Sequence, residues 1–293
     1  MDPATFEVQC LFYQGAYAAC VEKGRLAAPG DAGDSSRLYA ARAAAATGDW
    51  ATARSFTGGG AAFAAVGLLV DALEALENGA EPDAILVALG ALVNDSDSAD
   101  AAVVRYCHGL ATFSAGDSEN ALQILGVDGS GSSQELENVA LGVHILLAIN
   151  RIDLAEKEYL AARQWGEDAL LVQLMEAWIA LARGGRATQQ AYYVYDELSQ
   201  TTNIANTPGV VPTLVGKAVA SAALGDYAQG KGTISAAQAL DNDANTAANA
   251  AVLSALDPAG DAEPTRVAPL AHPIAADWAT KRAELSEAIA SFA

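Results

Sequence analysis

Seven turn residues recur along this chain at a nearly constant interval. They are Gly15, Gly48, Gly79, Gly116, Asn150, Gly184 and Gly225, and the successive intervals are 33, 31, 37, 34, 34 and 41 residues. At six of the seven turns a small residue follows five positions later, as Ala53 follows Gly48. A glycine or asparagine can adopt the left-handed conformation that ends a helix, and a small residue lets the next helix pack closely. The pattern predicts a series of tight helical hairpins.

A period near 34 residues is typical of helix–turn–helix repeats of the tetratricopeptide type. Each such unit buries its apolar face only by stacking on its neighbours, so one array can use all 293 residues. We therefore predict an all-α, tetratricopeptide-like α-solenoid that forms a single domain over residues 1–293. Its hairpin turns lie near residues 15, 48, 79, 116, 150, 184 and 225, and an amphipathic helix over 274–292 caps the open apolar end.

The sixth hairpin, whose turn is at Gly184, departs from this pattern. The small residue after Gly184 is Ala191, seven positions later rather than five, which predicts an insertion of two residues. The 41-residue interval that follows contains residues 201–212, which are rich in Asn, Thr and Pro. Such a composition favours a loop. We expect this loop to lie within the solenoid and not to mark a domain boundary.

The charge of the chain argues against a nucleic-acid partner. With 36 acidic and 16 basic residues the formal net charge is -20, so a phosphate backbone would be repelled over most of the surface. Cys10, Cys20 and Cys107 are odd in number and lie in helical stretches, which is typical of a reducing compartment. The apolar runs are too short to span a bilayer. We expect a cytoplasmic protein that meets membranes only through partners.

Signals for catalysis or for cofactor binding are weak. Residues 225–232, GDYAQGKG, place Lys231 as a phosphate-binding loop would, but Gly232 stands where a hydroxyl is required and no strand precedes it. The histidines are isolated, and no two have the helical spacing of metal ligands. We predict that the chain is not an enzyme and has no cofactor or metal site.

The predicted inner face is apolar. In repeats of this type the first helix of each hairpin lines the concave side, and the positions thirteen, ten, six and three residues before each turn point inward. We applied this rule to the turns at Gly79, Gly116 and Gly184. The candidate partner-binding residues are Leu69, Leu73, Val103, Tyr106, Leu110, Phe113, Leu174, Trp178 and Leu181.

A continuous apolar lining favours a hydrophobic partner that stays bound, because exposed apolar surface on this scale is a liability in a free monomer. A groove for peptide carboxylates would instead carry Lys, Arg and Asn. The alternative is a register that differs by one residue, so that some of these side chains belong to the repeat core. In that case Trp178→Ala would unfold the array rather than release a partner.

Two stretches resemble the coatomer epsilon subunit family. Residues 6–22, FEVQCLFYQGAYAACVE, resemble its first hairpin, with paired aromatic residues and with Gly15, Tyr17 and Cys20. Residues 144–198 resemble its central block, with the ILL-NR-DLA-KE turn, the DA-L-QL-AW-LA helix and the GG-AYY helix. His272 and Pro273, followed by a final helix, also fit the family pattern.

The resemblance implies a non-catalytic structural subunit of the coatomer (COPI) vesicle coat, which acts in Golgi-to-ER and intra-Golgi transport. It implies binding to the C-terminal region of the coatomer alpha subunit, indirect association with other coatomer subunits, and a peripheral location on Golgi membranes and COPI-coated vesicles. It supplies no catalytic residues. The alternative is a free-standing tetratricopeptide adaptor that binds peptides of another cytosolic complex, which would need a polar groove. An enzyme would need a convergent set of polar groups.

Overall fold

The computed structural model describes residues 3–95, 100–129, 131, 133–166, 169–200, 206–257 and 272–291. Within these ranges the regular structure is helical and contains no strand, which confirms the all-α prediction. The helices are α1 (Pro3–Tyr13), α2 (Tyr17–Leu26), α3 (Asp31–Ala46), α4 (Trp50–Ser55), α5 (Ala61–Glu77), α6 (Asp83–Asp95), α7 (Ala101–Ser114), α8 (Ser118–Leu125), α9 (Leu136–Ala148), α10 (Ile152–Arg163), α11 (Leu170–Arg183), α12 (Thr188–Ser199), α13 (Val211–Ala223), α14 (Tyr227–Leu240), α15 (Ala244–Leu256) and α16 (Pro273–Ser291).

The predicted turn residues end helices in the way their sequence requires. All seven have φ between 60° and 95°, in the left-handed region. At the fourth turn, the amide of Gly116 donates to the carbonyl of Phe113 at 2.9 Å, and the amide of Asp117 donates to that of Thr112 at 3.2 Å. This pair of bonds closes the last turn of α7. The Asp117 carboxylate then accepts the amide of Asn120 at 3.0 Å and caps the start of α8.

Five of the six small residues after the turns are buried, and the sixth, Ala84, is exposed. The difference follows from the start of α6. Five residues separate α5 from α6, whereas three separate α7 from α8. Because α6 starts late, at Asp83, its register shifts, and Pro82 and Leu89 occupy buried positions instead.

The chain divides into two compact units, unit 1 at Met1–Arg183 and unit 2 at Gly184–Ala293. Unit 1 holds α1 to α11. Its odd-numbered helices are the first helices of the hairpins and contact one another in chain order, while each even-numbered helix packs between two of them. Helix α1 also contacts α11. The single-domain organisation over residues 1–293 stays a prediction.

The alanine content of the chain is concentrated where helices meet. In α3, the run of residues 40–45 is buried throughout, and five of these six residues are alanines. The sixth is Arg42. Small side chains allow neighbouring helices to approach closely, because the separation of two packed helices depends on the side chains at their contact. Arg42 is therefore a single charge in an otherwise apolar, closely packed layer.

Unit 2 holds α12 to α16, and α13 contacts α12, α14 and α15. The predicted insertion after Gly184 is a 3-10 turn at Gly185–Ala187, and Ala191 is fully buried. The predicted loop at residues 201–212 is described only from residue 206, and residues 201–205 lie outside the described residues. No helix in the described ranges is long and apolar enough to cross a membrane.

The predicted C-terminal helix forms at Pro273–Ser291, and position 292 lies outside the described residues. From residue 276 to residue 291 every side chain is exposed, including Trp278, Leu285 and Ile289. Its role as a cap for the solenoid stays a prediction.

Candidate partner-binding site

The nine predicted partner-binding residues lie on α5, α7 and α11, the first helices of three hairpins in unit 1. Leu69 and Leu174 are 1% and 6% exposed, so they contribute mainly to the repeat core. The other seven, which keep a free face, are Leu73, Val103, Tyr106, Leu110, Phe113, Trp178 and Leu181. When a partner covers the free face of a half-buried apolar side chain, the removal of apolar surface from water stabilises the complex. Their role in binding stays a prediction.

Two cavities adjoin along the first helices of unit 1. The first, the aromatic pocket, has a volume of about 290 Å³ and is lined by Phe12, Tyr13, Tyr17, Arg42, Tyr106, Glu137, Ala140, Leu141, His144, Leu171 and Trp178. The second, the aliphatic pocket, has a volume of about 460 Å³ and includes Leu69, Leu73 and Leu110. Both pockets share Phe12, Tyr17, Arg42 and Tyr106. The structure thus brings five predicted residues to one continuous pair of cavities.

The remaining predicted residues lie elsewhere on the same helices. Val103 lines a third cavity of about 520 Å³, whose walls come from the first helices α1, α7, α9 and α11. Phe113 contacts His144, whose ring contacts Trp178 in turn, with ring centroids 6.0 Å and 6.4 Å apart. The planes meet at 89° and 75°, the edge-to-face geometry that aromatic rings favour. This row crosses α7, α9 and α11, and two of its members, His144 and Trp178, line the aromatic pocket.

Arg42 occupies the boundary between the two pockets. Its side chain is 3% exposed, and its guanidinium carbon lies 4.1 Å from the ring centroid of Tyr106, 4.7 Å from that of Phe12 and 5.2 Å from that of Tyr39. A guanidinium surrounded by aromatic faces is attracted electrostatically by the ring quadrupoles. This attraction is strongest when water is excluded. These contacts hold the cation in place within the alanine layer of α3.

Glu137, on α9, supplies the counter-charge. Its Oε2 lies 2.7 Å from Nη2 of Arg42, and its Oε1 accepts the hydroxyl of Tyr13 at 2.6 Å and that of Tyr39. Gln9 donates to both tyrosine hydroxyls. The network joins α1 and α3 to α9, across 95 to 124 residues of chain. It therefore fixes the relative positions of the first two hairpins and the fifth.

The electrostatics of this network favour a permanent ion pair. Burial works to raise the pKa of Glu137, but the charge of Arg42 and the hydrogen bonds from Tyr13 and Tyr39 outweigh it, so the pKa of Glu137 is lowered. Burial and the nearby Glu137 raise the pKa of Tyr13 and of Tyr39. At neutral pH the carboxylate is charged, both phenols keep their protons, and the three act as a fixed structural unit.

Sequence reasoning missed Arg42, Glu137 and His144, although its own rule selects them. Arg42 lies six residues before Gly48, and Glu137 and His144 lie thirteen and six residues before Asn150. We applied the rule only to turns whose inward positions are apolar. Extended to every turn, it would have found a charged pair on the predicted inner face, and two inward charges of opposite sign indicate a buried ion pair.

The chain matches the family model described as "Coatomer epsilon subunit" over residues 2–266. "Coatomer subunit epsilon-2" of Oryza sativa subsp. indica is 34% identical over 126 residues, which cover 43% of this chain and 40% of that protein. "Coatomer subunit epsilon-1" of Oryza sativa subsp. japonica is 29% identical over 231 residues, 76% of this chain and 73% of that protein. The matched stretch thus spans only about two fifths of the first of these relatives.

A solved structure shows the same fold. A tetratricopeptide repeat protein from Parabacteroides merdae superimposes with a TM-score of 0.54 at 11% sequence identity, and the match covers 89% of this chain and 96% of that one. At this identity the likeness concerns the fold alone, and it confirms the tetratricopeptide-like solenoid. The match to the family model extends over nearly the whole sequence, and with it the resemblance is confirmed: the chain belongs to the coatomer epsilon subunit family.

Proposed function

We propose that this chain is a non-catalytic structural subunit of the coatomer vesicle coat and that it binds and stabilises the C-terminal region of the alpha subunit. The observation that carries this proposal is the run of half-buried apolar and aromatic side chains along the first helices of unit 1, beside two adjoining cavities. Covering such side chains contributes about 25 cal/mol per Å² of apolar surface removed from water.

The proposed location follows from the proposed partner. The subunit would be cytoplasmic and would lie peripherally on Golgi membranes and COPI-coated vesicles, held there through the coat and in contact with other coatomer subunits only indirectly. The formal net charge of -20 suits this arrangement, because the chain itself would be repelled by anionic lipid headgroups.

The direct test is co-expression of the full chain with the C-terminal region of a coatomer alpha subunit, followed by measurement of the size of the complex at low and high salt. We expect a complex of fixed stoichiometry that resists salt, because apolar contacts are not screened. A monomer under all conditions would contradict the proposal. Weak, salt-sensitive capture of short peptides would instead support the free-standing adaptor.

Trp178→Ala tests whether the predicted inner face makes the contact. Trp178 is half-buried and forms one wall of the aromatic pocket, so its removal takes a large apolar anchor from the interface. We expect the affinity for the alpha-subunit region to fall by about thirtyfold or more, as at interface hot spots. The measurement is isothermal titration of the purified full chain, with its melting temperature recorded in parallel.

Trp165→Ala is the matched control. Trp165 is also partly exposed, at 39%, but lies outside both pockets. It should bind the alpha-subunit region as the wild type does. If Trp178→Ala unfolds the chain and Trp165→Ala does not, Trp178 belongs to the repeat core and the predicted register is wrong.

A further inference from the structure

Three polar side chains that line the aromatic pocket have no hydrogen-bond partner in the described part of the chain. They are Tyr17 on α2, His144 on α9 and Trp178 on α11, and each carries an N–H or O–H donor. Tyr17 and Trp178 are half-buried, whereas His144 is more exposed. Donors that lose water without gaining an acceptor cost free energy, so a partner that covers this pocket must supply acceptors.

Among the other polar groups of the pocket, Glu137 is already paired, whereas the buried Nε of Arg42 has no hydrogen-bond partner in the described part of the chain. Tyr13 and Arg42 both bond to Glu137, and the Arg42–Glu137 pair has no net charge. Although part of the His144 side chain is exposed, desolvation of its ring by the surrounding chain lowers the pKa of His144, so the ring is neutral at pH 7 and offers one N–H. The pocket thus presents unpaired donors and no unbalanced positive charge. An acceptor that suits such a site is itself uncharged.

This charge balance separates two kinds of acceptor. A carboxylate would enter a pocket without a free cation, on a chain whose formal net charge is -20, and would lose its hydration without compensation. A main-chain carbonyl oxygen carries no charge, so it loses much less hydration free energy than a carboxylate when it is buried. The cavity of about 290 Å³ has room for one or two side chains beside a stretch of backbone, and its walls are largely aromatic.

We propose that the aromatic pocket binds an uncharged segment of the partner protein whose main-chain carbonyl oxygens accept hydrogen bonds from Tyr17, His144 and Trp178, while its apolar side chains fill the space between the rings. This inference rests on the proposed function, since the partner is the C-terminal region of the alpha subunit. The inference adds which kind of segment the pocket selects. That segment has main-chain acceptors without partners, apolar side chains and no charge.

Tyr17→Phe tests this directly in the full chain. The substitution removes only the hydroxyl, which has no hydrogen-bond partner among the described residues, so the melting temperature should stay within 1 °C of the wild type. In the complex it leaves a buried carbonyl without a donor, and the affinity for the alpha-subunit region should fall about tenfold. A purely structural role for Tyr17 would show the reverse, with a lower melting temperature and unchanged binding.

Three further variants complete the design. Trp178→Phe keeps a ring but removes the N–H, and the double variant with Tyr17→Phe should bind at least fiftyfold more weakly than the wild type. Tyr227→Phe is the matched control, because Tyr227 lies on α14 in unit 2 and also makes no side-chain hydrogen bond in the described structure. It should bind as the wild type does.

The outcomes distinguish this inference from the proposed function. If the wild type does not bind the alpha-subunit region, the proposed function fails. If the wild type binds and Trp178→Ala weakens binding while Tyr17→Phe and Trp178→Phe do not, the contact is purely apolar and this inference alone is overturned. The loss caused by Tyr17→Phe should be the same at 50 and 500 mM salt, and a loss that shrinks with salt would identify a carboxylate acceptor and contradict it.

Discussion

Replacing Glu137 with glutamine should destabilise unit 1 strongly. The substitution keeps the size of the side chain and an oxygen that can still accept from Tyr13 and Tyr39, but it removes the negative charge. Arg42, whose side chain is 3% exposed, then keeps its positive charge without a counter-ion. A desolvated charge without a partner is among the most costly groups in a protein interior.

The magnitude follows from the environment of the pair. Removing one partner of a buried ion pair costs about 3 to 5 kcal/mol. Glu137 is 22% exposed, and Arg42 keeps its three aromatic contacts, so the cost should lie at the lower end, about 3 kcal/mol. For a unit of 183 residues each kcal/mol lowers the melting temperature by about 2 to 4 °C, so we expect a decrease of about 6 to 12 °C.

The difference in stability between the wild type and Glu137→Gln should become smaller as the pH falls. The pKa of Glu137 is lower in the folded chain than its ordinary value of 4.5, so its contribution to stability is present above that value. It is lost as the pH falls through the lowered pKa, where the carboxyl group becomes protonated in the folded state as well. The gap between wild type and Glu137→Gln should therefore be complete at pH 7 and should narrow below about pH 4.5.

Thermal unfolding followed by circular dichroism between pH 3 and pH 8 provides the measurement. Glu22→Gln is the control, because Glu22 is exposed on α2 and should change the melting temperature by less than 1 °C. The double variant Arg42→Met with Glu137→Leu should recover much of the loss, since an apolar pair can replace a buried ion pair. A Glu137→Gln protein that melts within 1 °C of wild type at pH 7 would refute the reasoning.

Two further predictions concern glycines and thiols. Gly67 lies in the middle of α5 with open space around it, so Gly67→Ala should raise stability by about 0.5 to 1 kcal/mol, whereas Gly116→Ala, at φ +95°, should lower it by about 1 kcal/mol, as chemical denaturation would show. A change in stability of the opposite sign for either variant would contradict the placement of Gly67 inside a helix or of Gly116 in a left-handed turn. Burial raises the pKa of Cys20 and Cys107 to about 12, so iodoacetamide at pH 8 should modify only the half-buried Cys10 in the native chain and all three after unfolding. Native-state labelling of Cys20 or Cys107 at the unfolded rate would show that their surroundings open.

The spacing of turns was readable from sequence because it depends on local conformation. A residue that must adopt positive φ is glycine or asparagine in most cases, and all seven predicted turn residues do so. The burial of the small residue after each turn is not set by local conformation, because it depends on where the next helix begins. At α6 the later start exposes Ala84, and sequence spacing alone carried no sign of that shift.

Only part of the candidate site could be predicted from the sequence. The apolar inward positions on α5, α7 and α11 were found from the repeat register, and five of them line the two adjoining pockets. The ion pair was missed because the rule was applied only to turns whose inward positions are apolar. The direct contact of Arg42 with Glu137, 95 residues apart, is set by the packing of the hairpins. The donors without partners were equally hidden, since a missing hydrogen bond is a property of the folded neighbourhood.

The sequence by itself thus determined the repeat, its turns, the helical class and the family, because each of these depends on residues close together in the chain or on similarity along it. The tertiary structure alone decided which inward side chains are core and which keep a free face, and that Tyr13, Tyr39 and Arg42 meet at Glu137. The physical reason is that burial and charge pairing are set by contacts between hairpins distant in sequence, and these contacts exist only once the first helices have packed together.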